Sequence, residues 1–250
     1  MKGRNKVSKN SEKVEIMEIP FVNNTKDNFL HKQVKPYFTS NEKCFIVTAN
    51  PEIVMETRKN KAYKNIVQSA DFIVPDGIGI ILAAKYKKEP LKERIAGFDL
   101  MKDMLELANE FGAKCFFLGT SKEANQEAVK NIKQAYPRIK VAGSHHRYFE
   151  MSDPSIVQIV KEAEADFNFV ALGFPKQEEW IYENLQAFSK GIFMGVGGSL
   201  DVFAGKVKRA PDFWIKLNLE WLYRILKQPF RWKRILPVFK FMWLVFTKQD

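Results

Sequence analysis

From residue 43 onward the chain alternates short apolar runs with longer amphipathic ones. "KCFIVTAN" (43–50), "DFIVPD" (71–76), "KCFFLGT" (114–120), "KVAGSH" (140–145), "FNFVALG" (167–173) and "GIFMGVG" (191–197) read as strands. Most of these runs are almost continuously apolar, the pattern of strands covered on both faces. Helical patterns fill the gaps. One is predicted over residues 51–70, with Asn50 as N-cap and Pro51 at the first helical position. Another runs over 98–112 and stops at Gly112; a third follows Ser121. Two more are expected over 153–166 and 175–188, and a short helix after Gly198-Ser199. Repeated strand–helix units predict an α/β fold, Rossmann-like, with a mostly parallel sheet and helices on both faces.

The pattern changes after "RAP" (209–211). The last forty residues show no strand alternation and no glycine, and read as helical segments broken at Pro229 and Pro237. We therefore expect a basic N-terminus over 1–13, a catalytic α/β domain over 14–205 and a helical appendage over 206–250. Charge follows the same division. The net charge is +11, of which +8 lies in residues 206–250 and +4 in residues 1–13, leaving the middle at −1. Four of the five tryptophans (Trp214, Trp221, Trp232 and Trp243) also lie in the appendage. Trp214, Leu217, Trp221 and Ile225 recur at steps of three and four, forming an apolar stripe that either packs on the domain or faces a membrane. The longest uninterrupted apolar run there, Phe241 to Phe246, is far short of the ~20 residues of a spanning helix, so the appendage is expected to lie on a membrane surface. Cys44 and Cys115 sit within strands and read as buried hydrophobes, which suits a reducing cytoplasm. The polar start "MKGRNKVSKNSEK" has no apolar core of a secretion signal.

A parallel sheet gathers the carboxyl ends of its strands at one edge, where ligands bind. Those ends supply Thr48 and Asn50, Asp76 and Gly77, Gly119 and Thr120, Gly173 with Lys176 and Gln177, and Gly195, Gly197, Gly198 and Ser199. Small residues, hydroxyls and amides suit a polyhydroxylated ligand bearing phosphate. The Gly197-Gly198-Ser199 turn leads into a helix and offers backbone N–H groups to a diphosphate. Asp76 is the one acid in this set. It fits a general base beside an acceptor hydroxyl, and "PDG" fits a helix cap or Asx-turn equally well. There is no P-loop, no early GxGxxG and no Asp-x-Asp pair, and His31, His145 and His146 lack zinc spacing. We expect no metal and no cofactor.

"TANPEIV", "ADFIVPDGIGI", "RIAGFDL", "GFPKQEEW", "GVGGSLDVFAGKVKRAP" and "LEWLYRILKQPFRWKR" together resemble, in order, the motifs of the WecG/TagA/CpsF glycosyltransferase family. The likeness covers roughly residues 14–235. Within the family it is nearest to the TagA/TarA branch, N-acetylmannosaminyltransferases of wall teichoic acid synthesis. The resemblance implies an inverting, metal-independent transfer of N-acetylmannosamine from UDP to the 4-hydroxyl of N-acetylglucosamine on an undecaprenyl-diphosphate lipid. It implies Asp76 as the catalytic base, with Thr48, Asn50, Arg94 and Gln177 as substrate contacts. It assigns Arg224, Arg231 and Arg234 to the acceptor or leaving-group phosphates. Ala96 stands where the family pattern has proline. In a single helix over 222–235 these three arginines would fall within about 80° of one another, although Pro229 interrupts it.

The partners so implied are a UDP-sugar, the lipid-linked acceptor and a membrane surface met through residues 206–250, with the protein held at the inner face of the cell membrane. A homo-oligomer is compatible with the chain. A related transferase using the uronic acid of UDP-N-acetylmannosamine is the alternative. A nucleic-acid-binding tail is a more distant one, and "FKFMWLVF" at its end argues against it.

Overall fold

The computed structural model describes residues 13–227, Trp232 and residues 235–247. The sequence pattern assigned nothing before residue 43. The structure places there an antiparallel hairpin, β1 (Lys13–Ile16) and β2 (Ile19–Val22), and a helical run over residues 26–40. The main sheet has six strands: β3 (Lys43–Ala49), β4 (Phe72–Pro75), β5 (Lys114–Gly119), β6 (Lys140–His145), β7 (Phe167–Ala171) and β8 (Gly191–Gly195). Their order is β4-β3-β8-β7-β5-β6, and every pairing is parallel. The expected strands are all present, and helices cover both faces.

Strand alternation splits the core in two. Phe45, Val47, Phe116, Leu118 and Phe193 point to one side and pack under helices Pro51–Lys59, Lys61–Gln68, Pro154–Ala163 and Lys176–Asn184. Cys44, Ile46, Cys115, Phe117, Ile192 and Met194 point to the other, under helices Gly97–Phe111 and Lys122–Ala135. Both cysteines are free and buried, as expected. Gly119 illustrates how close the strand ends lie. A Cβ there would stand 2.3 Å from the carbonyl oxygen of Ala171, and its φ is +118°.

Two expected helices change. The helix predicted over 51–70 is two, because Asn60 leaves helical geometry (φ −119°, ψ 102°) and its side chain caps the second at Tyr63 N–H, 3.1 Å away. Pro237 does not break the last helix. Helix Ile235–Phe246 contains it in the first turn, where a missing N–H costs no intrahelical bond. The apolar stripe of 214–225 is also divided. It spans helices Asp212–Lys216 and Glu220–Lys227, separated by a turn in which Asn218 takes φ +59°.

Helix Ile235–Phe246 lies against helices Pro51–Lys59 and Ile78–Tyr86. Phe241 and Val245, one turn apart, are buried in the same core as the sheet. Tyr86 donates its hydroxyl to the Phe246 carbonyl at 3.0 Å. The opposite side leaves Leu236, Phe239, Trp243 and Phe246 exposed. The terminal helix is thus anchored to the domain by one face and presents apolar side chains on the other. Phe241→Ala should therefore lower global stability by about 3–5 kcal/mol in urea denaturation. An unchanged midpoint would mean the helix adds nothing to the core.

Candidate active site

Asp76 follows β4 directly. Its N–H donates to the carbonyl of Ala49 at the end of β3, 3.0 Å away. Gly77, with φ +90°, then opens helix Ile78–Tyr86 without any side-chain cap. The Asp76 carboxylate therefore does not cap the helix that follows it. Its Oδ2 instead accepts the N–H of Gly97, at 3.3 Å, the first residue of the 15-residue helix Gly97–Phe111. Ala96, the N-cap of that helix, has no capping side chain. The positive helix end faces the carboxylate of this half-buried residue.

Thr48, near the end of β3, and Asn50, just after it, lie at the same end of the sheet as Asp76. The backbone at Gly97 runs close to Thr48: a Cβ there would sit 3.1 Å from Thr48 Oγ1, so Thr48 would have to give by a few tenths of an ångström. Thr48 Oγ1 also lies 3.5 Å from the Gly195 carbonyl oxygen at the end of β8. Asn50 caps helix Pro51–Lys59 as expected, its Oδ1 accepting from Ile53 N–H at 3.0 Å, so its amide N–H groups are what it has to offer a ligand. Arg94 is half-buried in the loop before Gly97. That loop is pinned at both sides: Ile95 N–H donates to the Pro75 carbonyl (2.9 Å), and Glu93 accepts from Lys26 N–H (2.8 Å). Thr48, Asn50, Asp76 and Arg94 thus share one end of the sheet.

Gln177 is placed differently from a free ligand contact. It is buried, its Nε2 donates to Glu178 at 2.7 Å, and its Oε1 accepts Gly197 N–H at 3.0 Å. Glu178 was not singled out from the sequence. Its side chain is 1% exposed and receives a second hydrogen bond from Tyr63 Oη at 3.1 Å. Burial pushes its carboxyl up to about 7, against the opposing pull of the bonds from Gln177, backbone N–H and Tyr63. Burial, and then the negative charge of Glu178, raise the Tyr63 phenol in turn. The one signal in the sequence was an acid two residues into a helix whose neighbours, Trp180 and Ile181, are core residues.

The expected diphosphate turn is partly committed. Gly197 N–H goes to Gln177, and Ser199 N–H to the Val196 carbonyl at 3.0 Å. Gly198 is the N-cap of the short helix Ser199–Phe203. Thr120, φ +53°, gives its hydroxyl to Asp201, which ties the end of β5 to that helix. Gly119 is held by backbone packing, and Asn125 secures the strand ends by donating to the carbonyls of Phe117, Gly119 and His145. Downstream, Arg209 forms a two-point ion pair with Asp99, 2.7 Å at each contact, and stacks on Phe98. This clamps the start of the tail beside Gly97. Arg231 and Arg234 lie outside the described residues, as does the Arg224 side chain. Among the described residues no three His, Cys, Asp or Glu side chains gather to hold a metal ion.

Glu178 yields a pH prediction. Its folded value lies above the ordinary 4.5, so the folded protein keeps a proton that the unfolded chain has released. Its stabilising contribution is complete below about pH 4.5 and is lost as pH rises through about 7. The melting temperature of Glu178→Gln relative to the parent should therefore rise steadily across that interval. A difference independent of pH would mean Glu178 titrates normally.

The chain as a whole is similar to known proteins. The chain matches the pattern of the Glycosyl transferase WecG/TagA/CpsF family over residues 14–249. It is 41% identical over 239 residues to a Staphylococcus aureus (strain MW2) protein, covering 93% of this chain and 92% of that one. It is 39% identical over 227 residues to one from Bacillus spizizenii (91% and 88% covered), and 38% identical over 234 to one from Bacillus subtilis strain 168 (94% and 91%). All three are named N-acetylglucosaminyldiphosphoundecaprenol N-acetyl-beta-D-mannosaminyltransferase. A parallel sheet whose carboxyl edge presents Thr48, Asn50, Asp76 and Arg94, joined to this agreement along nearly the whole chain, shows that the protein belongs to the WecG/TagA/CpsF family of glycosyltransferases.

Proposed function

We propose that the protein transfers N-acetylmannosamine from UDP to the 4-hydroxyl of N-acetylglucosamine on an undecaprenyl-diphosphate lipid, with inversion, in the assembly of wall teichoic acid. The observation that carries this reading is the half-buried Asp76 at the carboxyl end of β4, its carboxylate accepting Gly97 N–H, with Thr48, Asn50 and Arg94 at the same end of the sheet. The shared name of the relatives supports the sugar and the acceptor.

A single displacement requires one base. Asp76 takes the proton of the acceptor hydroxyl as its oxygen attacks the anomeric carbon, and the bond to UDP breaks on the opposite face. General-base assistance of this kind contributes about 10²–10⁴ in rate. The leaving diphosphate is stabilised by cationic side chains rather than by a metal ion. Arg94, in the loop before Gly97, and the tail arginines Arg224, Arg231 and Arg234 are assigned to this task.

The acceptor is a membrane lipid, and the tail suits that setting. No helix among the described residues is long and apolar enough to cross a membrane. The outer face of helix Ile235–Phe246 and the side chains of Phe213, Leu217, Trp221 and Leu226 are exposed and apolar, beside a basic chain. This supports peripheral attachment through residues 206–250 to the inner face of the cell membrane.

Mass analysis of the product from UDP-N-acetylmannosamine and a short-chain lipid acceptor tests the reaction, and full activity in EDTA tests the metal-free mechanism. Asp76→Asn should reduce turnover at least about a hundredfold while UDP-sugar binding stays within a few-fold. Parental turnover would remove Asp76 as the base. In liposome flotation, Phe239→Glu/Trp243→Glu should release the protein from anionic vesicles. Retention equal to the parent would place the membrane contact elsewhere.

A further inference from the structure

Nothing in the transfer step uses Glu178, although it is a buried acid beside the site. It lies in helix Lys176–Asn184, between Tyr63 of helix Lys61–Gln68 and the end of β8. An amide has one carbonyl and one NH₂, and the two orientations of Gln177 are not equivalent here. A carboxylate can only accept, so it admits only the NH₂ side of Gln177, at 2.7 Å. The carbonyl of Gln177 is then turned to Gly197 N–H, at 3.0 Å. Reversing the amide would set oxygen against carboxylate and NH₂ against N–H, leaving two buried groups unpaired.

The strand end rests directly on this pair. A Cβ at Gly195 would stand 2.6 Å from Gln177 Nε2 and 2.9 Å from Glu178 Oε1. The second carboxylate oxygen is held by Tyr63, whose ring is buried and meets Phe174 edge-on at 5.5 Å. Gly197 has φ +50°, and a Cβ there would meet nothing within 4 Å; its N–H goes to Gln177, while its neighbours are held by Val196 N–H to the Val170 carbonyl (2.9 Å) and Ser199 N–H to the Val196 carbonyl (3.0 Å).

We propose that Glu178 is a positioning residue for the transfer reaction: it sets the amide orientation of Gln177, and through it the shape of the loop 195–198 that meets the donor diphosphate. The proposal rests on the transferase reading above for its kinetic consequence. Its structural content does not. The orientation also survives protonation of Glu178. The acid proton can sit on Oε2 and be accepted by the Tyr63 hydroxyl, while Oε1 still accepts from Gln177. Glutamine at 178 can imitate that arrangement, with its carbonyl toward Gln177 and its NH₂ toward Tyr63. Methionine cannot.

The test compares Glu178→Gln with Tyr63→Phe/Glu178→Met, alongside Tyr63→Phe as control. The double variant removes the Tyr63–Glu178 pair in similar volume and leaves the Gln177 NH₂ without the acceptor it has in the parent. Expected for it are a melting temperature within a few degrees of the parent, a donor KM raised at least tenfold with kcat within threefold, and Gly197 amide exchange at least tenfold faster in the enzyme alone. Glu178→Gln should keep donor KM within threefold and Gly197 protected. Parental KM and protection in the double variant overturn the proposal, as does a donor KM raised equally in both variants while Gly197 stays protected. If the double variant does not fold, Glu178→Asp, which withdraws the acceptor by one methylene, should raise donor KM three- to tenfold and speed Gly197 exchange; parental values overturn the proposal. If the parent makes no product from UDP-N-acetylmannosamine and the lipid acceptor, the transferase reading fails, and Gly197 exchange alone decides the positioning role.

Discussion

The site depends on a hydrogen bond between two chain segments that the sheet brings together: Gly97 N–H to the Asp76 carboxylate. Each partner is confined. Asp76 is fixed by its backbone bond to Ala49, and Gly97 by the tight approach of its Cα to Thr48. A Cβ at 97 would sit 3.1 Å from Thr48 Oγ1 and press on that side chain. A proton acceptor held by an N–H and a helix dipole keeps its direction without being sealed from the rim.

The same principle recurs along the edge. Gly119 lets β5 touch β7, Gly195 lets β8 rest on Gln177 and Glu178, and Gly97 lets a helix touch Thr48. At each point the missing Cβ permits a backbone contact that a larger residue would hold apart. The polar groups beneath are then shielded from water and must pair with one another. Tyr63, Glu178, Gln177 and Gly197 do so in series. The floor of the candidate site is therefore a connected polar layer.

The tail belongs to both sides of this arrangement. Arg209 and Asp99 bind its start to the helix that supports Asp76, and Phe241 and Val245 bind its end into the core. An apolar face turned outward on an anchored helix can meet a lipid surface without the helix detaching from the domain.

Much of this was legible in the chain. Continuous apolar runs marked the strands, turn residues marked their ends, and Asp76 was the one acid among those ends, because period and punctuation are local properties. The motifs that carry the family resemblance are local too. What the chain did not reveal was pairing. Asp76 meets a residue 21 positions on, Thr48 one 147 positions on, and Glu178 a tyrosine 115 positions back. Whether "PDG" caps its own helix, whether Gln177 faces a ligand or the protein, and which side of the last helix is buried are questions of distance between segments remote in sequence. Hydrophobic pattern determined which elements form; their packing at the carboxyl edge decided which polar groups are already bound and which remain available to a substrate.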